Sequence, residues 1–439
     1  MHSFIKPQYL TVILFAWLAN TALAVGLSVE EQKMVDWIDE NAEDSIGLLE
    51  ELVNIGSGTM NHEGVRKVGM ALRAELDDLG LETEWITLPA ETQRAGHLVG
   101  RLDGTRGKKM VLIGHLDTVF EATDDFRAFS REGNIGRGPG IEDMKSGDVV
   151  IVYALKALKA IGALNGAQIV VFYTGDEEKT GKPLSVTRKD LIEAGKWADV
   201  GLGFESAMRF DDTDWATIAR RSSSEWRLVV TGKQAHSSGI FQDEYGAGAI
   251  FEAARIIFGF YDEVRGEEHL SFNAGTILGG TDVEYDFEQN SGSTFGKTNV
   301  IPRQAIVHGG LRTISADQLE RAKAAMSAVV ARNLPHTDAS ISFTDSYPPM
   351  SPTAGNERLQ EQFSKINEAL GRGPMPALDP SRRGAADVSF VAPYTDALAG
   401  LGALGEGGHT PNESLELDSM PLAIKRAAIL IYRLSREST

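Results

Sequence analysis

His115 in Gly-His-Leu-Asp-Thr, Asp143 in Gly-Pro-Gly-Ile-Glu-Asp-Met-Lys, Glu178 in Asp-Glu-Glu, Glu205 in Gly-Phe-Glu-Ser and His409 in Gly-Gly-His-Thr are the side chains most suited to chemistry. Two imidazoles and three carboxylates suit a pair of divalent cations, and such a pair activates water. The chain has no cysteine, which excludes thiolate metal sites and cysteine nucleophiles. The expected chemistry is hydrolysis.

Their neighbours add to this reading. Residues two apart in an extended segment point the same way, so His115 and Asp117 can share one face. A carboxylate beside a ligand histidine fixes its tautomer and raises its basicity. In Asp176-Glu177-Glu178 adjacent acids project differently, so one can bind metal while the next faces a water. A glutamate near such a water can take its proton and deliver it to a departing amine. Asp143, between a glycine-rich turn and a helix, can bridge two cations or serve as an acid at the helix start. The glycines before His409 let the backbone present its ring.

These residues need elements to position them. Residues 109–114 and 168–174 are short apolar runs ending in turn chemistry, and they read as buried strands. Helical periodicity runs through 29–53, opened by a capping box at Ser28 and Glu31, and through 63–79 and 148–161. Strand–helix alternation of this kind predicts an α/β fold, a mostly parallel sheet with helices on both faces. His115, Asp143, Glu178 and Glu205 then fall after or near the carboxyl ends of strands, where open α/β sheets build their sites.

The rhythm changes near Thr217. Strands at 224–231, 270–277, 304–312 and 339–344, with helices at 247–261 and 316–333, give the order β-α-β-β-α-β. That is a ferredoxin-like unit inserted in the sheet domain. Residues 279–298, rich in Gly, Ser, Asp and Asn, read as a long loop. Pro348-Pro349 marks the return, and 420–434 reads as a terminal helix with Pro421 in its first turn. The expected division is a leader at 1–24, a catalytic domain at 25–216 and 348–439, and the inserted unit at 217–347.

At 439 residues the chain is long enough for two or three domains. Its formal charge of −19 argues against a nucleic-acid partner. No cationic cluster accompanies the five candidate ligands, which disfavours phosphate-ester chemistry. Lys6, an apolar run over 10–22 and Ala22-Leu23-Ala24 match a secretory leader with a small-x-small cleavage site. An exported protein, periplasmic or secreted, is expected, with a retained N-terminal anchor as the alternative.

Taken together, these motifs resemble the di-zinc exopeptidases that include glutamate carboxypeptidase, aminoacylase and succinyl-diaminopimelate desuccinylase. The resemblance spans 29–436 and is nearest the glutamate carboxypeptidase branch, through Gly138-Pro-Gly-Ile-Glu-Asp143, Asp176-Glu-Glu-Lys179 and Gly408-His-Thr410. It implies two Zn²⁺ per subunit, with Co²⁺ or Mn²⁺ as alternatives. His115 and Glu205 would hold one cation, Glu178 and His409 the other, and Asp143 would bridge them. Glu177 would be the general base and Asp117 the orienter of His115, and the Asp143-Met144 peptide is expected to be cis. Gly232-Lys-Gln-Ala-His236 resembles the segment whose histidine, in dimeric relatives, enters the partner subunit's site. The resemblance therefore implies a homodimer and a lid/dimerisation role for the inserted unit. Asn299, in Asn-Val-Ile-Pro, resembles a substrate-contacting turn, and Arg312 stands where an arginine clamps a substrate carboxylate.

Three places depart from that pattern: Gly310-Leu311 before the arginine, Arg221-Ser-Ser-Ser224 entering the lid, and Arg383-Gly-Ala-Ala-Asp387 in place of an unbroken glycine run. None removes a metal ligand, and all bear on the substrate's side chain. The expected activity is cleavage of a small carboxylate-bearing peptide or N-acyl amino acid. An N-acyl-amino-acid deacylase, a dipeptidase, and a periplasmic metal-binding protein without turnover are the alternatives.

Overall fold

The run Met110-Val-Leu-Ile113 is buried on alternate sides, so its strand needs cover on both faces. Met110 and Leu112 enter one core with Leu72, Val150 and Ile424, while Val111 and Ile113 enter a second with Leu191, Ala194 and Val391. The computed structural model describes residues 26–437 apart from Ala122, Phe126, Arg127 and Glu288. The leader expected at 1–24 lies outside the described residues. Among the described residues no helix is long and apolar enough to cross a membrane.

The strand Arg106–His115 pairs in parallel with Ala167–Thr174 on one side and Val200–Gly203 on the other. Asp396–Leu398 continues the sheet in parallel beside Val200–Gly203. His97–Asp103 and Glu82–Ile86 close the other edge antiparallel. The sheet has six strands and is parallel at its centre, as expected from strand–helix alternation. Helix Ser146–Ala160 lies buried between this sheet and the terminal helix Ser419–Leu434.

Residues 29–53 form two helices, Val29–Glu40 and Ala42–Val53, rather than one. Asn41 breaks them with φ −110° and ψ 16°, its side-chain amide donating to the Trp37 carbonyl at 2.7 Å. The capping box at Ser28 and Glu31 is present.

Ser223–Gly232, Ser271–Gly280, Gln304–Arg312 and Thr337–Tyr347 form a separate four-stranded antiparallel sheet. Helices Ala249–Glu263 and Ala316–Val330 cover one face through Trp226, Leu228, Ile256, Phe260, Val307 and Met326. The connectivity is the expected ferredoxin-like one. The loop expected over 279–298 is instead the end of a sheet strand followed by a hairpin, Asp282–Asp286 paired with Ser291–Phe295. These strands bury almost nothing, so no two-residue hydrophobic alternation marks them. The hairpin folds back on the sheet through Tyr285 to Thr276 and Asn290 to His308.

Candidate active site

His115 ends its strand, Glu178 follows Thr174 by four residues, and Glu205 follows Gly203 by two. Asp143 lies in the turn leading into helix Ser146–Ala160, and the Asp143-Met144 peptide is cis, as expected. His409 arrives from the loop between Gly405–Glu406 and Ser414–Glu416. Four elements thus converge at the carboxyl ends of the central strands, and a loop from late in the chain closes over them.

The centre of the arrangement is one carboxylate facing two rings. Asp143 Oδ1 lies 3.2 Å from His115 Nε2, and Asp143 Oδ2 lies 3.2 Å from His409 Nε2. Glu178 Oε2 also lies 3.2 Å from His409 Nε2. Ligand atoms of His115, Asp143 and Glu178 all fall within 4.8 Å of one another. Two ligands about 2.1 Å from a tetrahedral cation stand roughly 3.4 Å apart, so each contact has the span of a shared cation. His115 Nδ1 meets the Asp117 carbonyl at 3.0 Å and its carboxylate at 3.5 Å, so Nε2 is the ring nitrogen turned toward Asp143.

Electrostatics lead to the same conclusion. Hydrogen bonds to Asp143 and Glu178 push His409 up to about 11. Burial works against a charged His115, yet its bonds to Asp117 and Asp143 hold it well above the ordinary value. Burial also opposes ionisation of Asp143, but His115 and His409 keep it below the usual carboxylate range. Burial raises Glu178 to about 7. The cluster calls for positive charge, and divalent cations are the group its donors fit.

Glu205 departs from the expected set. Its carboxylate pairs with the buried Arg220 guanidinium rather than joining His115 and Asp143. A buried guanidinium needs an acceptor, and Glu205 provides it. Glu205 and His115 still line one small cavity, of about 10 Å³, with Arg220 and Asp387.

Asp117 has more partners than an orienter of His115 requires. Its carboxylate accepts the backbone N–H groups of Glu177 at 3.0 Å and Glu178 at 3.1 Å, and the Thr59 hydroxyl at 2.7 Å. It therefore locks the acidic loop to the histidine strand. Burial, joined by Asp387, Glu205 and Glu178 and offset in part by His115, holds Glu177 well above the ordinary carboxylate value. A buried carboxyl beside the donor cluster is placed to accept a proton and return it.

Two supports escaped the sequence. Buried Glu413 accepts from the N–H groups of Gly140, Glu142 and Asp143 at 2.8–2.9 Å, tying the His409 loop to the Asp143 turn. Fully buried Arg188 binds Asp176 at 2.5 Å and Asp387 at 2.9 Å, bracing the acidic loop from behind. Glu413 stands four residues after His409, and that nearness was its only signal in the chain.

The three residues expected from the inserted unit do not share one place. His236 and Asn299 sit together, the Ser237 N–H donating to the Asn299 carbonyl at 2.9 Å. Arg312 ends the strand Gln304–Arg312 beside Arg221, at the side joined to the parallel sheet. That strand alone spans roughly 27 Å. Within one subunit, Asn299 and Arg312 therefore cannot hold the same small substrate.

Comparison with known proteins bears on this geometry. Peptidase family M20/M25/M40 matches residues 111–433. The chain belongs to this family. It is thus a hydrolase of the metal-dependent peptidase class, and the donor cluster provides a place for the metal. Carboxypeptidase G2 of Pseudomonas sp. is 28% identical over 432 residues, covering 96% of each chain. Succinyl-diaminopimelate desuccinylase of Gluconobacter oxydans is 26% identical over 385 residues, covering 86% of this chain and 94% of the relative. The crystal structure of a Staphylococcus aureus tripeptidase shares the fold with a TM-score of 0.67 at 19% identity, over 90% of this chain and 99% of that one.

Removing the Glu413 carboxylate should therefore loosen the metal site from outside it. Glu413→Ala strands three backbone donors, each worth about 1–3 kcal/mol when buried and unpaired. Zn²⁺ affinity, read by competition with a chromogenic chelator, should fall at least tenfold, and Glu413→Gln should recover part of it. Unchanged affinity in the alanine variant would show that the Asp143 turn holds itself.

Proposed function

We propose that the protein is a two-zinc exopeptidase that cleaves the amide of a small, carboxylate-bearing peptide or N-acyl amino acid. One observation carries the reading: the two oxygens of Asp143 face two different imidazoles at equal distance, with Glu177 beside them. His115 with Glu205, and His409 with Glu178, would hold the two ions, and Asp143 would bridge them. For Glu205 this requires release from Arg220. When bound, such ions lower the pKa of a shared water to about 7 and polarise a carbonyl. Glu177 would be the base that accepts a proton from the attacking water and returns it to the departing amine. Its burial and the acids around it support this role. Arg312, exposed and without an ion pair among the described residues, clamps the substrate carboxylate.

The similarity to carboxypeptidase G2 supports a carboxypeptidase, and a deacylase or dipeptidase would use the same residues. An intact Glu177 argues against a pure metal binder, which has no need of a base.

The separation of His236 from Arg312 favours a site shared between two copies of the chain. Phe251, Phe258 and Tyr261 lie on helix Ala249–Glu263, and with Phe241 each is more than half exposed. Apolar surface of this kind marks an interface. We propose a homodimer in which His236 of the partner subunit meets the carbonyl oxygen of the bound amide, while residues 217–347 act as lid and dimer contact. We also propose export directed by residues 1–24.

Glu177→Gln should bind Zn²⁺ as tightly as the parent and lose roughly 10²–10⁴ of kcat. Chelation should abolish turnover and added Zn²⁺ should restore it. Full turnover by the variant would remove Glu177 from its role. Mixing inactive His236→Ala and Glu177→Gln subunits should restore about a quarter of parental activity, by random pairing in a two-fold dimer. No recovery, with exchange demonstrated, would place His236 and Glu177 in the same subunit's site. N-terminal sequencing of the exported protein should begin near Val25, and an intact Met1 would mean an uncleaved leader.

A further inference from the structure

The peptide between Glu177 and Glu178 is held at both of its polar ends. Its carbonyl, that of Glu177, accepts the Tyr347 hydroxyl at 2.9 Å, and its N–H, that of Glu178, donates to Asp117 Oδ2 at 3.1 Å. One side chain on this peptide is the proposed base and the other a proposed metal ligand. A turn of the peptide plane would swing both away from their targets. Asp117 follows the histidine strand, so one end is fixed from within the parallel-sheet domain. The other end is not: Tyr347 is the last residue of Thr337–Tyr347, a strand of the inserted unit.

The Tyr347 phenol has one proton, and the Glu177 carbonyl takes it. Its oxygen accepts from Arg188 Nη2 at 3.3 Å and lies 2.9 Å from Thr180 Oγ1, while its ring packs on Phe390 with centroids 4.9 Å apart. Tyr347 is also bound to the body of the inserted unit. It pairs with Ser223 of the neighbouring strand, and Asp345, two residues earlier, accepts from the Ser224 hydroxyl at 2.9 Å and the Lys323 ammonium at 2.6 Å. The two segments that join the unit to the rest of the chain pair with each other, Arg220 and Met350 exchanging backbone hydrogen bonds at 2.9 and 3.0 Å. A displacement of the unit therefore reaches the Glu177–Glu178 peptide through a single buried hydroxyl.

We propose that Tyr347 is a positioning residue that couples the posture of the inserted unit to the orientation of Glu177 and Glu178. Movement of the unit onto a substrate then sets base and ligand together, through the peptide they share. The proposal rests on the hydrolase reading above.

Tyr347→Phe removes the hydroxyl and keeps the ring. In zinc-loaded protein, hydrogen exchange at the Glu178 amide, resolved by mass spectrometry with fragmentation, should quicken about five- to tenfold, the size of one hydrogen bond. On N-benzoylglutamate kcat should fall roughly 10–100-fold with KM within about threefold, as expected of a misplaced base. Parental exchange or parental kcat overturns the proposal. Phe390→Leu loosens the ring's packing and keeps the hydroxyl; it should lower Tm while leaving exchange and kcat within about twofold. Losses of kcat that follow Tm alike in both variants would make the phenol mere packing and also overturn it. Asp345→Asn, wholly within the inserted unit, tests the coupling itself. It should quicken Glu178 exchange in the parent and add almost nothing in the Tyr347→Phe background. No effect in the parent, or the same factor in both backgrounds, rejects the coupling. Failure of the parent to cleave N-benzoylglutamate counts against the hydrolase reading, and the exchange measurements then decide the coupling alone.

Discussion

One carboxylate shared by two imidazoles is the constraint on which the rest of this structure depends. Asp143 presents each oxygen to a different ring, and Glu178 meets the same His409 ring. Unit charges about 4 Å apart interact by roughly 4 kcal/mol at an effective dielectric of 20, so carboxylates gathered this closely repel strongly unless positive charge lies among them. Protons on His115 and His409 supply some, and divalent ions would supply more. The need for positive charge and the capacity to bind metal are the same electrostatic fact.

Such a cluster keeps its shape only if the surrounding backbone cannot relax. The supports are single buried side chains, each joining two distant segments. Asp117 ties the histidine strand to the acidic loop, and Glu413 ties the His409 loop to the Asp143 turn. Arg188 ties the acidic loop to the segment carrying Asp387, and Tyr347 joins in through the Glu177 carbonyl. Each support has its hydrogen bonds satisfied, which buried polar groups require and which also makes them rigid. Other buried polar atoms near the centre, among them both carboxylate oxygens of Asp148 and two nitrogens of Arg220, have no partner.

The inserted unit follows a different logic. Its core is separate from those of the parallel sheet, and its open face carries a hairpin held by a few polar and aromatic contacts. Gln304–Arg312 sets the distance between the two groups of site candidates. Arg312 stays near the hinge, while His236 and Asn299 are carried to the far end. A rigid strand separates the roles, which is the geometry behind the proposed sharing of a site between two copies of the chain.

Much of this was legible in the chain. Apolar runs ending in turn chemistry marked the central strands, and the β-α-β-β-α-β order marked the inserted unit, because burial on both faces and helical periodicity leave local signatures. The residues around Asp143 and Glu178 carried the metal chemistry in their types and order. The polar hairpin at 282–295 left no signature, since strands that bury nothing need no alternation. Nor did the break at Asn41, where the hydrophobic pattern continues through a change of axis. Only the tertiary structure decided that Glu205 faces Arg220, that Glu413 holds the Asp143 turn, and that Arg312 stands apart from His236. Those are pairings of a side chain with a group 15 to 270 or more positions away, or distances set by a whole strand. A sequence specifies such partners only through the complete fold, because each depends on where every intervening element comes to rest.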